Sequence, residues 1–157
     1  MSNIKQAIGA STAITITLAS LGSAAARESL VIDNGSNLFL DAMITFKLKT
    51  GAGLAADKAI YIWLYASEDG TLYDYNATGA DAAIVLLSPH NFKGPFIINT
   101  PTDSLTYIAV LTSVAAFFGG VMPKKWGVIV ENKTGQALTA DAGDHSVKFS
   151  GIYQTVL

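Results

Sequence analysis

The fold of this chain is decided by residues 59–67, which read Ala-Ile-Tyr-Ile-Trp-Leu-Tyr-Ala-Ser. Side chains of a β-strand point alternately to opposite faces, so this stretch has two different faces. The aliphatic face consists of Ile60, Ile62 and Leu64, and the aromatic face consists of Tyr61, Trp63 and Tyr65. Because neither face is polar, the pattern predicts a strand in the centre of a sandwich, or one with a face against a partner.

The preceding stretch Ala42–Thr50 predicts a strand with one dry and one wet face. Its apolar positions alternate with polar ones at a period of two: Ile44, Phe46 and Leu48 against Thr45, Lys47 and Lys49. Such alternation is typical of a half-buried strand. The glycine-rich segment 51–53 ends the pattern and reads as a turn, since it has neither the spacing nor the following helix of a phosphate-binding loop.

Similar short runs occupy most of the remaining chain. Five more strands are predicted at Ala83–Leu87, Phe96–Asn99, Leu105–Val114, Trp126–Asn132 and Val147–Val156. Together with the alternating segment Ala13–Leu21 they make eight or nine strands, separated by Gly, Pro, Asn and Asp turn signals. That spacing favours an all-β sandwich or barrel over alternating strands and helices. We expect one domain over residues 12–157, preceded by an arm at 1–11.

The composition argues against a self-contained soluble enzyme. Half of the 157 residues are hydrophobic and only 14% are charged, whereas about 25% is usual. The net charge of −2 provides no basic stripe for nucleic acid, and the absence of cysteine excludes disulfides and thiolate metal sites. These values predict a subunit whose apolar surface is covered by neighbouring molecules.

Two apolar segments raise the question of export or membrane insertion. Ala13–Leu21 resembles the apolar region of a signal peptide, but it alternates with a period of two, which favours a strand. Residues 105–122 carry no charge, but they are barely long enough to span a bilayer and contain polar residues and a Gly-Gly pair. We therefore expect no cleaved signal peptide and no membrane segment.

Few residues are suited to catalysis or metal binding. The two histidines, His90 and His145, both follow turn residues, and the adjacent triplet Asp144-His145-Ser146 points in different directions rather than converging as a triad. We expect no catalytic residue, no cofactor site and no metal site. The oxygen-rich region Glu68–Asp81 leaves a cation or glycan site open, although solvated turn residues explain it better.

Two apolar groups are candidates for contacts with a protein partner. The aromatic face of Tyr61, Trp63 and Tyr65 fits a second core layer, a protein interface or a platform for sugar rings. The pair Phe117-Phe118 lies in an uncharged, glycine-containing segment, where two adjacent rings rarely face one core. We therefore predict that one of these phenylalanines inserts into a neighbour.

The order of several segments resembles that of small virion proteins of tailed bacteriophages. The segments are Thr12–Leu21, Ala26–Ser29, Ile32–Asn34, Leu40–Ala42, Lys47–Gly51, Ala66–Gly70, Asn76–Gly79 and Lys125–Val128. Within that group the chain is most similar in character to jelly-roll cement, or decoration, proteins. This resemblance implies a symmetric homo-oligomer, a dimer or a trimer, that binds the outside of the phage head and ties its subunits together. The resemblance has no functional motif that transfers residue by residue.

Taken together, these patterns predict an all-β protein with a single antiparallel β-sandwich of jelly-roll type. The expected function is non-enzymatic: a capsid cement protein that clamps neighbouring copies of the major capsid protein. Such a protein is made in the host bacterial cytoplasm and resides on the capsid surface of the virion. The alternative is a head or tail fibre, a tail component, or a carbohydrate-binding module that uses exposed aromatic rings.

Overall fold

A computed structural model describes residues 3–55, 58–86, 93–99 and 101–156, which form two antiparallel sheets. The first sheet contains β1 (Ile4–Ile8), β2 (Thr12–Ile14), β5 (Asp41–Lys49), β9 (Thr106–Leu111) and β11 (Ser146–Val156). The second contains β3 (Ala26–Glu28), β4 (Ile32–Asp33), β6 (Ala59–Ser67), β7 (Ala82–Ile84), β8 (Lys93–Asn99) and β10 (Lys125–Lys133).

The strand order is that of a jelly roll. The first sheet runs β1-β11-β5-β9, with β2 also paired to β11. The second runs β7-β3-β10-β6-β8, with β4 also paired to β10. The chain therefore crosses repeatedly between two facing sheets, as in double-sheet jelly rolls, and β7 is an additional edge strand. The predicted all-β sandwich of jelly-roll type is confirmed.

The main core fills the space between the two sheets. On β5 the predicted inward side chains Ile44, Phe46 and Leu48 are completely buried. From the opposite sheet Trp126 contributes the largest buried side chain, and its ring meets Phe149 edge-on at 5.5 Å between centroids. Because the predicted wet face of β5 is partly or fully exposed, the alternation read from the sequence describes both faces correctly.

The decisive strand β6 has the predicted bounds, and its two faces belong to two different clusters. Its aliphatic side chains lie in the main core. Its aromatic side chains Trp63 and Tyr65 lie on the outer face of the second sheet, together with Ile129 of β10. The segment after β6, residues 70–81, packs over them and forms a third layer. A strand in the centre of a sandwich is therefore the correct reading of this pattern.

The predicted alternation of Ala13–Leu21 is present in the burial of its side chains, but the predicted strand is much shorter. Only Thr12–Ile14 pair with a neighbouring strand. Ile14 and Leu18 are buried in the main core, as the period of two predicts. Strand β2 nevertheless ends at Ile14, because the chain then leaves the first sheet: the carbonyl of Thr15 accepts a hydrogen bond from the amide of Leu30, 2.8 Å away. Within the predicted arm, residues 4–8 form edge strand β1, paired with β11.

The uncharged segment 105–122 is not one long element. It contains β9 and then a short 3-10 turn, Ala115–Phe118. In the part of the chain that the structure describes, no helix is long and apolar enough to cross a membrane.

Candidate docking site

One end of the sandwich gathers the loops that carry the most exposed apolar side chains. These loops are residues 34–40, 68–81 and 112–124, and the first is tied to the last by the amide of Asn34, which donates to the Lys124 carbonyl at 2.8 Å. Leu72, Leu38 and Val121 are 78%, 73% and 72% exposed. We call this region the apolar end. Clustered exposed apolar side chains are typical of interaction sites, whereas scattered ones are not.

A cleft of about 500 Å³ opens between two of these loops. Its apolar lining includes Leu72 on one wall and Phe118, Val121 and Met122 on the other. The floor is formed by the end of β6 at Ala66 and Ser67. The cleft is large enough to accept an apolar side chain from a partner against its apolar wall.

The Leu72 wall is positioned by a hydrogen-bonded turn after β6. The Asp69 carboxylate accepts from the amides of Thr71 and Leu72, each at 2.8 Å. The Ser67 hydroxyl accepts from the Gly70 amide at 2.8 Å and donates to Asp69 at 3.1 Å. The polar side chains thus hold the backbone, while Leu72 itself is directed into solvent.

The Phe118 wall is positioned by the 3-10 turn. The Asp41 carboxylate at the start of β5 accepts from the Ala115 amide at 2.8 Å, and the Ser113 hydroxyl accepts from the Ala116 amide at 3.1 Å. Gly119 ends the turn with a φ of 76°, in the left-handed region that glycine tolerates best. This cap turns the chain directly after Phe118 and places Val121 on the rim.

The cleft also has acidic side chains in its lining and next to it. Glu68 and Asp74 line the cleft, and Asp69 lies in the same turn. Hydrogen bonds from the backbone amides of Leu72 and Thr71 hold the pKa of Asp69 well below its usual range, so this group is ionised at neutral pH. A complementary partner would therefore present an apolar side chain flanked by lysine or arginine.

The predicted aromatic candidates are mostly internal. Tyr65 is completely buried: its hydroxyl donates to the Ser29 carbonyl at 2.7 Å, and burial raises its pKa far above the usual value. Trp63 is only 8% exposed and stacks against the half-buried Tyr61, with the ring centroids 6.0 Å apart. The structure thus favours the second core layer among the three alternatives. It leaves little ring surface for a partner or a sugar, and only Tyr61 retains a partly open face.

The two predicted phenylalanines have different surroundings. Both are partly buried and pack against the main core, but Phe118 also lines the cleft. The sequence pattern pointed to this loop but not to its cleft, because Leu72 lies on a distant segment. Insertion of a phenylalanine into a neighbour stays a prediction.

The oxygen-rich region Glu68–Asp81 is occupied with internal hydrogen bonds. Asp81 forms an ion pair with Arg27 and accepts from the amide and hydroxyl of Thr17. Partial burial would raise the pKa of Asp81, but the Arg27 and Thr17 hydrogen bonds outweigh it and lower the pKa. Among the described residues, no three His, Asp or Glu side chains converge as metal ligands.

Of the two histidines, only His145 lies in the part of the chain that the structure describes, and its contacts are structural. His145 joins the end of β5 to the loop before β11: its Nε2 lies 3.0 Å from the Thr139 carbonyl, and its Nδ1 accepts from the Lys49 amide at 3.4 Å. Asp144 pairs with Lys49 at 3.1 Å rather than orienting the imidazole. His90 lies outside the described residues.

The sequence pattern assigned no role to Glu28, which the structure shows beneath the third layer, hydrogen-bonded to it. This carboxylate is buried on β3, and it accepts from the Thr78 amide and hydroxyl at 2.8 Å each and from the Gly79 amide at 3.1 Å. It therefore ties the covering loop to the sheet. In the sequence, Glu28 is a single acidic residue in a short segment, and nothing in that pattern distinguishes a buried carboxylate from an exposed one.

Comparisons of the chain with models of protein families, with curated proteins and with solved structures give no significant match. The class of the protein is thus described by its own structure alone: a jelly-roll β-sandwich with a candidate protein-docking site.

Proposed function

We propose that this protein is a non-enzymatic virion structural protein, a cement protein that clamps neighbouring major capsid proteins on the outside of a phage head. It would be synthesised in the bacterial cytoplasm and reside on the capsid surface. The observation that carries the proposal is the apolar end, where exposed Leu72 and Val121 border a cleft on a rigid turn scaffold. The choice of the major capsid protein as the partner rests on the resemblance to phage cement proteins.

The geometry suits a clamp better than a flexible linker. The polar groups of Asp41, Ser67 and Asp69 hold the walls of the cleft, so little conformational freedom is lost when a partner side chain enters. A jelly roll that presents one such end can bind an assembled shell at many equivalent places. Each contact is weak, but several contacts in one oligomer add through effective concentration. Binding to the shell and not to loose subunits stabilises the shell by mass action.

The test is cosedimentation of the purified protein with assembled shells of the virus that encodes it. The double variant Leu72→Asp/Val121→Asp places two charges at the rim of the cleft, and we expect at least a tenfold loss of binding because burying unpaired charges is costly. The matched control is Ile108→Asp on β9, which is equally exposed at 72% but lies on the outer face of the first sheet. It should bind normally.

Two results would overturn the proposal. The first is unchanged shell binding by the double variant, which would remove the apolar end as the contact; loss of binding in Ile108→Asp would then place the contact on the outer face of the first sheet. The second is a copy number of only a few chains per purified particle, measured by quantitative mass spectrometry against the shell protein. That result would assign the chain to a tail, fibre or vertex instead.

A further inference from the structure

We infer that the open edge of β1 pairs with β1 of a second copy, so that the first sheet continues across a two-fold axis. This inference concerns the free protein and does not depend on the capsid role. It specifies the strand that forms the contact, a second copy as the partner, and the register in which the two strands pair.

The ribbon formed by β1 and the end of β11 is incompletely supported within one chain. The pairing of β11 with β5 stops at Ile152, whereas its pairing with β1 continues to Val156. Four of the five β1 side chains are exposed, and only Ala7 is partly covered. A two-stranded ribbon without a packed face is marginally stable in water, so a further strand would stabilise it.

Among the described strands only β11 pairs with β1, so the opposite edge of β1 presents a row of unpaired backbone groups. The Gly9 amide donates to the Gly151 carbonyl at 2.8 Å, which fixes Gly9 as a bonded position of the antiparallel ladder. Because bonded and non-bonded positions alternate, Ile4, Gln6 and Ile8 direct their N–H and C=O groups away from β11. Such an exposed edge is a template for another strand.

One register of self-pairing uses this row completely. When Gln6 lies opposite its own symmetry mate, Ile4 lies opposite Ile8 of the second copy, and each pair exchanges two backbone hydrogen bonds. Shifting the axis to Lys5 would place two like charges opposite each other and lose one bonded pair. Centring on Gln6 instead sets Lys5 opposite Ala7.

The side chains of this register match across four strands. Within one chain Ile4 is opposite Val156, Gln6 is opposite Gln154, and Ile8 is opposite Ile152. Across the axis, each Val156–Ile4 pair therefore continues into Ile8–Ile152 of the second copy. The two apolar rows flank a central row of four glutamines, and such matched cross-strand pairs are stabilising.

The other described edges fit less well. Strand β7 has only three residues, and β8 contains Pro95 and a register irregularity, both of which protect an edge. Strand β9 is the strongest rival, and its two-fold would centre on exposed Ile108. Its inward side chains Tyr107, Ala109 and Leu111 already pack on the main core, so β9 needs no added strand.

Light scattering after size exclusion should give twice the mass of one chain. Since the protein has no cysteine, a single introduced thiol reports one contact. Gln6→Cys faces its own mate at about 5.5 Å between Cα atoms, within the range for a disulfide. We expect mild oxidation to convert most of this variant to a covalent dimer. Lys5→Cys, out of register, and Ile108→Cys, on the rival edge, should stay largely uncrosslinked.

Gln6→Pro provides a second readout. Its missing N–H points to the free edge, so the ladder to β11 is kept and only dimerisation should be lost. A monomeric wild-type protein, or a dimer that crosslinks through Ile108→Cys rather than Gln6→Cys, would overturn the inference. Neither result bears on shell binding through the apolar end, so the two proposals fail separately.

Discussion

The loops at the two ends of the sandwich differ in whether their apolar side chains are covered. At the end formed by residues 15–25, 51–55, 101–105 and 134–145, buried polar side chains satisfy the backbone; we call it the polar end. Asn132 there donates to the carbonyls of Leu21 and Gln136 at 2.9 and 2.7 Å. At the apolar end, polar groups hold the turns but Leu72 and Val121 remain in solvent. Among the described residues, the polar end closes its loops with its own hydrogen bonds, whereas the apolar end leaves apolar side chains exposed, which we propose a partner covers.

The largest expected effect is at the polar end, in Asn132→Ala. This side chain is completely buried, and its oxygen also accepts from the Thr134 amide and hydroxyl. Removing it leaves several buried groups unpaired, so we expect the free energy of unfolding to fall by about 3 kcal/mol in urea titrations. A loss below about 1 kcal/mol would contradict the view that hydrogen bonds close this end.

A smaller effect is expected for Asp41→Ala, which removes the polar anchor beneath the apolar end. The variant leaves the amides of Ala42 and Ala115 without their carboxylate acceptor, and loss of such a cap costs about 1 kcal/mol. Because the turn that carries Phe118 is loosened, shell binding should weaken as well. Asp41→Asn keeps an acceptor oxygen, so it is the matched control and should retain most of both properties.

Acid should weaken the polar end through Asp103 and Asp144. Hydrogen bonds from the amides of Leu54 and Gly53 lower the pKa of Asp103, and the Lys49 hydrogen bond lowers the pKa of Asp144. A carboxyl whose folded pKa is depressed stabilises the fold above its unfolded pKa of about 4, and the stabilisation is lost as the pH falls through the folded pKa. The urea midpoint should therefore drop below pH 4, and less steeply in Asp103→Asn/Asp144→Asn. Equal slopes for the two proteins would exclude these carboxyls as the cause.

The smallest effect on stability is expected for Leu72→Ala and Val121→Ala at the apolar end. Both side chains are mostly in water already, so unfolding should change by less than about 0.5 kcal/mol. Leu48→Ala, in the main core, is the contrast and should cost about 3 kcal/mol. If the two surface variants proved as destabilising as Leu48→Ala, the apolar end would belong to the fold rather than to a binding site.

Much of the fold was predictable because period-two alternation is a local property. The bounds of β6 and the inward side chains of β5 were read correctly, and β11 begins and ends within one residue of the predicted stretch. The candidate site was only partly predictable. Phe118 was singled out, but its cleft also needs Leu72, 46 positions earlier in the numbering. A pairing over that separation has no local signal.

The sequence alone determined the long strands β5, β6, β10 and β11, the direction of their faces and the excess of apolar side chains, because each follows from the order of neighbouring residues. The tertiary structure decided which apolar groups are covered. Loop 70–81, tied down by buried Glu28, hides Trp63 and Tyr65, whereas nothing in the described chain covers Leu72. Burial depends on what long-range packing brings on top of a residue, and this is why some of the large apolar side chains are hidden and others remain exposed.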